Sequence, residues 1–420
     1  YKQARLRVRY ETAALSLLED GPATPRDAVV KAFVKGEKLV RHKVNKPRVI
    51  MGRDPRYNLE LATYLKPLEH VLYGQLRGFG KMFTRTRLIG KGLNGPERAR
   101  MIRKKLYSRQ GLVAVEIDGV SFESHFCKEV LRCEHSFYER FFQGGEKKRL
   151  SQLLSWQREF KGRGEGLRFS ANGVRASGDF NTGLGNTFVM LVLVLMVAER
   201  VGGGFDVLAD GDNALLFIPA ASLDLWRTAI VEVTAEAGFE MTIEQPTSDV
   251  RQVVFGQSRP FLAGGGWTMV RDPLKVLSHA AAGYQHYHDL VGGLRVLKSV
   301  AYCEAVLSAG VPILQEYAQS LLRATAHVAF SSAEPEDYVY RTVLARGIDW
   351  AATRRVHVTA RMRLDFEASF GIDPESQIRM ESVLGGTVNL PVGWQDVALE
   401  DPRDIRDPNT LPHDVLGDLV

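Results

Sequence analysis

Two short β-prone apolar runs, residues 205–209 and 214–218, meet across Asp210-Gly211-Asp212-Asn213. The pattern commits this part of the chain to a hairpin with carboxylates at its tip. A third run, residues 112–117, ends at Asp118 in the manner of a buried strand whose last residue emerges at an edge. Asp118 and Asp212 are 94 residues apart, yet adjacent strands of one sheet bring them within a few Å. Two carboxylates so placed share hard cations, because Mg²⁺ accepts one or two protein carboxylates and fills its octahedron with water and phosphate oxygens. A pair of such ions about 4 Å apart clamps both oxygens of an in-line phosphoryl displacement. Either Asp alone reads equally as a turn residue. The rest of the chain decides between these readings.

Residues 28–50 alternate apolar and basic side chains, which predicts extended cationic structure. The Asp54-Pro55 turn then starts a helical pattern over 59–73. Helices are expected over 126–142 and 150–160, separated by Gly144-Gly145. Asn172-Gly173 between 167–170 and 174–176 reads as a hairpin that delivers Ser177-Gly178 into a loop. A long apolar helix follows from about Thr182 to Val201, stopped by Gly202-Gly203-Gly204. Further on come a helix over 223–237, strands over 239–244 and 252–257, helices over 275–370, and a Pro- and Asp-rich extended tail over 385–420.

Charge is distributed unevenly. Residues 1–110 hold 26 Lys/Arg against 9 Asp/Glu, a net of +17, whereas the remainder carries 29 against 40, a net of −11. A basic segment of this size suits a phosphate-binding surface, although a solvated basic face has the same composition. Three cysteines (Cys127, Cys133, Cys303) build no disulfide framework and place the chain in a reducing compartment. The longest apolar run, 188–198, has eleven residues, short of the roughly 20 of a membrane span. It is expected to be core, with no span in this chain. Tyr1 opens the sequence without a Met or a leader, as a piece of a longer product would.

Taken in order, the chain presents basic strands (Lys35, Lys38, Lys43, Lys46, Arg48), Asp118 with Glu123, Ser177-Gly178 with Thr182 and Asn186, then Gly211-Asp212-Asn213. Here the sequence resembles the RNA-dependent RNA polymerases of positive-strand RNA viruses, most closely the tombusvirus-like group. Residues 46–73 resemble that group's nucleotide-entry motif F, and 118–125 (DGVSFESH) motif A. Residues 177–187 (SGDFNTGLGNT) resemble motif B, 209–217 (ADGDNALLF) motif C, 238–246 (GFEMTIEQP) motif D, and 253–260 (VVFGQSRP) motif E. Each motif is weak alone, but six in the correct order are a specific signal, and they cover about residues 28 to 280.

The resemblance implies template-directed RNA synthesis from ribonucleoside triphosphates with Mg²⁺ or Mn²⁺. It implies Asp118 and Asp212 as catalytic metal ligands, with Asn213 beside them. Glu123, Ser177, Gly178, Thr182 and Asn186 would bind the nucleotide, Asn186 sensing the 2′-hydroxyl. Lys46 and Arg48, with Arg53 and Arg56, would hold the triphosphate, and Phe255 and Gln257 would touch the priming strand. The fold implied is α+β, a right hand with fingers from 1–110 and an insertion near 125–170. A palm of antiparallel sheet packed on helices spans 111–275, a helical thumb 276–380 and a tail 381–420. The basic first quarter would line the template and nucleotide tunnels. Partners would be template and nascent RNA and viral replication proteins, in a membrane-associated replication complex of the host cytoplasm.

The sequence departs from the group's pattern in three places. Motif A usually has Asp where Glu123 stands, and motif C usually has Asp where Asn213 removes a negative charge. Asp210 is nearby but is expected to point to the other side of its strand. In motif D, Met241-Thr242-Ile243 offers no lysine as acid for pyrophosphate. These departures keep open a non-catalytic RNA-binding scaffold of the same fold. A reverse transcriptase is disfavoured by Asn186. His125, Cys127, Cys133 and His135 resemble zinc ligands, but residues six apart on a helix diverge by about 240°, so core cysteines with exposed histidines are expected. Gly162-x-Gly164-x-Gly166 is read as a mobile loop, and His286 and His288 as surface residues of a helical segment.

Overall fold

The computed structural model of this 420-residue chain describes residues 4–36, 47–164, 166–282, 290–330, 335 and 337–386. Helix α1 (Ala4–Glu19) precedes strands β1 (Val30–Val34) and β2 (Val49–Gly52), then helices α2 (Pro55–Gln75) and α3 (Gly95–Leu106). Strand β3 (Leu112–Gly119) leads through a 3₁₀ turn into α4 (Lys128–Glu139), α5 (Gly144–Arg158), β4 (Phe160–Gly164) and β5 (Leu167–Ala171). Helix α6 (Thr182–Val201) is followed by β6 (Asp206–Asp210), β7 (Asn213–Pro219), α7 (Leu223–Glu236) and β8 (Met241–Ile243). Strands β9 (Ser258–Ala263) and β10 (Gly266–Arg271) close the sheet-bearing part. Six helices follow: α8 (Pro273–His279), α9 (Leu290–Leu307), α10 (Leu314–Ala324), α11 (Tyr338–Arg346), α12 (Ala360–Phe370) and α13 (Pro374–Gly385). This is mixed α+β architecture.

The sheet that positions the acidic tip has the order β6-β7-β3-β8, antiparallel at each pairing. Its three longer strands are apolar almost throughout because both faces are covered. Val115, Ile117, Val207, Ala214 and Leu216 pack with α6 and α7. Leu112, Ala114, Leu208, Leu215 and Phe217 face Ile102 and Leu106 of α3. Asp206 and Asp210 share that second face with Leu208, and α3 answers both: Lys105 pairs with Asp206 at 2.6 Å with both side chains fully buried, and Arg98 pairs with Asp210. Seven helical residues span about 10.5 Å and four strand residues about 13 Å, so the two elements run in step.

A second sheet, β2-β1-β4-β5, carries the N-terminal strands, with Lys31 in β1, no charged residue in β2, and Lys35 and Arg48 flanking them, while residues 37–46 lie outside the described residues. The expected hairpin at Asn172-Gly173 is corrected here. Strand β5 pairs with β4, from Phe160↔Ala171 to Gly164↔Leu167, so Gly162 and Gly164 belong to a strand and not to a mobile loop. The reason lies in Gly162, which leaves room for the Phe169 ring, since a Cβ would stand 2.2 Å from it. Gly173 (φ +86°) makes a turn against Lys128, and 174–176 form no strand. Residues 252–257 likewise form no strand; a 3₁₀ turn at Val250–Gln252 leads to Phe255, bridged to Ser258 where β9 begins.

Helix α2 begins four residues before the expected 59, because Asp54 caps it by accepting from the Arg56 amide at 3.1 Å and Pro55 takes its first position. Helix α4 overturns the reading of its cysteines. Its inner face is Leu131, Glu134, His135 and Tyr138, a spacing of three, four and seven that leaves Cys133 outside, while Cys127 is the extended residue before the helix; both cysteines are exposed and His135 is buried. Helix α6 is long and apolar enough to cross a membrane by length and composition, but 61% of its apolar window is buried in the fold. The α8–α13 helices enclose their own core around Cys303, Ile313, Leu321 and Phe366. Residues 283–289, with His286 and His288, and the tail from 387 onward lie outside the described residues.

Candidate active site

The two acidic strand ends meet. Asp118 faces Asn213 directly in the β3–β7 ladder, and the Gly119 amide donates to the Asp212 carbonyl at 2.9 Å. Asp212 sits in a two-residue turn that Gly211 makes possible with φ +76°. Thr187 of α6 holds this turn by accepting from the Gly211 amide at 2.8 Å. Burial raises the pKa of both carboxyls above the usual carboxylate range. Glu244 pushes Asp118 further up, and Asp118 and Glu123 push Asp212 up while Lys91 draws it down. Asn213 Oδ1 is buried with no hydrogen-bond donor among the described residues. An exposed carboxylate (Asp118), a half-buried one (Asp212) and an unpaired amide oxygen are hard donors, and this set fits a Mg²⁺-class cation that takes few protein ligands.

Beside them, Asn186 Nδ2 donates to Glu123 Oε1 at 3.0 Å, so the longer acid reaches the helix α6 amide. Asn186 Oδ1 is buried and lacks a donor among the described residues. Thr182 does not join this pair, because its hydroxyl donates back to the Ala176 carbonyl at 3.0 Å and shapes the turn into α6. Ser177 is exposed, with its Oγ accepting from the Met51 amide at 3.1 Å. Gly178 lies against β2: its amide donates to Met51 O at 2.9 Å, and a Cβ there would stand 2.6 Å from that oxygen. Its own neighbour strand requires this glycine, independently of any ligand.

The basic residues separate into two groups. Arg48 is exposed just before β2, and Lys46 lies outside the described residues. Arg53 and Arg56 are corrected. Arg53 is 3% exposed and pairs with Asp179 and the Ala28 carbonyl. Arg56 donates to Ser16 and, at 2.8 Å, to the Gly21 carbonyl, with Asp27 at 3.6 Å. Neither guanidinium faces an open triphosphate site. Phe255 is also corrected, because it is fully buried with Val253 and Leu215 and offers no surface to a priming strand. Gln257 is exposed in a left-handed turn (φ +59°) and accepts from Lys275.

Two constellations were not anticipated from the sequence. Lys91 Nζ stands 2.8 Å from Asp210 Oδ1, and Arg98 holds the other carboxylate oxygen while stacking on Phe255. Asp210 is therefore neutralised by α3 and its preceding loop. The Gly90-Lys91-Gly92 spacing was the available signal for it. A buried polar network also supports the Ser177 loop. Glu134 of α4 receives Arg175, Tyr138 Oη at 2.8 Å and Asn181 Nδ2 at 2.8 Å. Gln157 donates to Asn181 at 2.7 Å and contacts His135 at 3.1 Å.

Antiparallel strands with acids at one end, an amide–carboxylate pair beside them and a glycine loop pinned to β2 form one polar constellation. The chain belongs to the viral RNA dependent RNA polymerase family, whose pattern it matches over residues 1–387. Its relatives include three plant-virus proteins, each named RNA-directed RNA polymerase. That of Groundnut rosette virus (strain MC1) is 29% identical over 97% of this chain and 48% of its own length. That of Carnation mottle virus is 31% identical over 94% and 51%. That of Tomato bushy stunt virus (strain Cherry) is 31% identical over 98% and 48%. The chain spans about half the length of the curated relatives it matches.

Proposed function

We propose that this chain carries out template-directed RNA synthesis from ribonucleoside triphosphates in viral replication. The observation that carries the reading is the in-register meeting of Asp118 with Asn213, with Asp212 in the adjoining turn. Asp118, Asp212 and Asn213 Oδ1 would hold Mg²⁺ or Mn²⁺, which when bound neutralises charge at the reacting phosphate and favours attack by a 3′-hydroxyl with loss of pyrophosphate. Glu123 orients Asn186, whose unpaired Oδ1 accepts from the 2′-hydroxyl, the group that distinguishes RNA from DNA. Ser177 and Gly178 place the loop beside the incoming nucleotide, and Arg48 with Lys46 supplies positive charge to its triphosphate. Gln257 is retained as a contact to the priming strand. Fingers, palm and thumb correspond to the N-terminal strands and α2, the four-stranded sheet, and α8–α13. Partners are template RNA and viral replication proteins at a host membrane.

The test is incorporation of labelled ribonucleotide on an RNA template in Mg²⁺ and separately in Mn²⁺. Asp118→Ala and Asp212→Ala are expected to lower incorporation by roughly two to three orders of magnitude or more while RNA affinity and the circular dichroism spectrum are retained. RNA binding with steep salt dependence and no incorporation in either metal would instead establish a non-catalytic scaffold.

A further inference from the structure

Lys91 is unusually well mounted for a lysine in a loop. The Ile89 backbone bridges Ala209 of β6, and the Gly90 amide donates to the Ala209 carbonyl at 2.7 Å. Arg87 donates to the carbonyls of Ile89 at 2.7 Å and of Lys91, and Arg98 donates to that of Gly90 at 3.1 Å. Glycine is favoured at Gly92, whose backbone has φ +80°. The ammonium ends between two elements of the site. It lies 3.6 Å from where a Gly211 Cβ would be, and its Cε lies 3.4 Å from the corresponding point on Gly183 in the first turn of α6.

Lys91 and Arg98 share the carboxylate of Asp210, Asp212 is a further acid within electrostatic reach of Lys91, and the Lys91 side chain is 30% exposed. An ammonium has three donors, of which a carboxylate oxygen takes one. A half-open ammonium with donors to spare beside the Gly211-Asp212 turn is a receptor for an anion. The identity of that anion follows from the layout. Glu123 and Asn186 occupy the β3 flank of the turn, whereas Lys91 stands on the β6 flank, and β7 lies between the two strands. In-line displacement puts the attacking 3′-oxygen and the leaving pyrophosphate on opposite sides of the reacting phosphorus. With the triphosphate, and so the leaving pyrophosphate, assigned to Arg48 beside β2, the end of the growing strand is assigned to the other side of the reacting phosphorus, the β6 flank where Lys91 stands.

We propose that Lys91, oriented by Asp210 and Arg98, binds the last phosphodiester of the growing RNA strand. The inference rests on the polymerase reading for the direction of the strand. It also gives a purpose to an acid that does not join the metal donors, since Asp210 serves to aim a cation.

The experiment uses a defined primer–template RNA whose last primer linkage is either natural or an uncharged methylphosphonate. Equilibrium affinity is measured without nucleotide for the wild-type chain and for Lys91→Met. Each single change is expected to weaken binding about tenfold, and Lys91→Met should lower the salt slope by about 0.9. The two together should cost no more than either alone, because both remove one contact. Lys91→Arg should restore most of the affinity, and the Lys91→Met/Asp210→Asn double variant, which keeps the local charge balanced, replaces Lys91→Met if that variant is unstable. Additive losses would overturn the proposal, as would unchanged RNA affinity with a raised KM for nucleotide, or a parallel fall in Mn²⁺ affinity that marks a displaced turn. Wild-type incorporation is measured alongside. Its absence in both metals would remove the polymerase reading, whereas incorporation with additive losses would remove only the role of Lys91.

Discussion

Asn213 replaces a carboxylate with an amide whose oxygen is buried and has no donor among the described residues. A buried acceptor without a partner costs stability unless something electropositive reaches it, and that cost is consistent with a cation in its proper complement. Asn213→Asp adds a negative charge to a site where Asp118 and Asp212 already titrate high, so it should favour the harder ion and raise activity in Mg²⁺ relative to Mn²⁺ by roughly tenfold. Identical metal profiles would place the residue outside the donor set. The raised carboxyls also set a pH dependence. Metal binding needs the ionised forms, and groups whose pKa lies above the usual value of about 4 keep protons to higher pH. Mn²⁺ affinity of the free chain, followed by paramagnetic resonance, should therefore begin to fall at a higher pH than for ordinary carboxylates. A loss confined to pH 4 and below would contradict this. Both acids were recognisable in the sequence because a strand end and a hairpin tip are local patterns. The Gly178 constraint was not, because it comes from Met51, 127 residues away.

Helix α4 shows how an element can be located correctly and oriented wrongly. Its inner face carries Glu134 and His135, and the apolar ranking of residues gives no reason to bury those two in preference to Cys127 and Cys133. The partners explain it: Arg175, Asn181, Gln157 and Arg158 come from later in the chain and satisfy both side chains. Breaking this arrangement at one end, as in Glu134→Ala, should cost about 3–5 kcal/mol in urea unfolding because Arg175 is left buried and unpaired. His135 provides an independent check. Burial pushes its pKa down to about 3, whereas the unfolded chain titrates it near the ordinary value of about 6.5. Between those values the unfolded state binds more protons, so stability falls as pH is lowered through about 6.5 toward 3. The thermal midpoint should drop between pH 7.5 and 5.5, and His135→Gln should flatten that slope; an unchanged slope would locate the effect elsewhere.

In the whole molecule, the core of α8–α13 is separate from the cores around the central sheet. The two regions are joined through β9–β10 against α3 and through Arg251, which pairs with Asp249 and, at 3.0 Å, with Asp365 of α12. Separate cores, bridged by β9–β10, predict more than one calorimetric transition in place of a single two-state event. Arg251→Ala should lower the transition of the helical part by about 2–4 °C, the effect of roughly 1 kcal/mol in a region of this size, and leave the sheet transition in place. A single sharp transition unaffected by that change would show that the two regions unfold as one.

From its own order of residues this chain determined the α+β class, the six motifs, the hairpin at 205–218, found one residue further on at 206–219, and the candidacy of Asp118, Asp212 and Asn186. Each of these depends on neighbours a few residues apart or on a pattern repeated along a strand or helix. Tertiary structure alone decided which cations are free to meet a ligand. Arg53 and Lys91 look alike as basic residues near glycines, yet Asp179 and the Ala28 carbonyl enclose the first, while Asp210 shares the second with Arg98 and leaves it half open. A charge is available or spent according to what the fold sets within about 4 Å of it, and the acids that decide here, Asp179 and Asp210, lie 126 and 119 positions away along the chain.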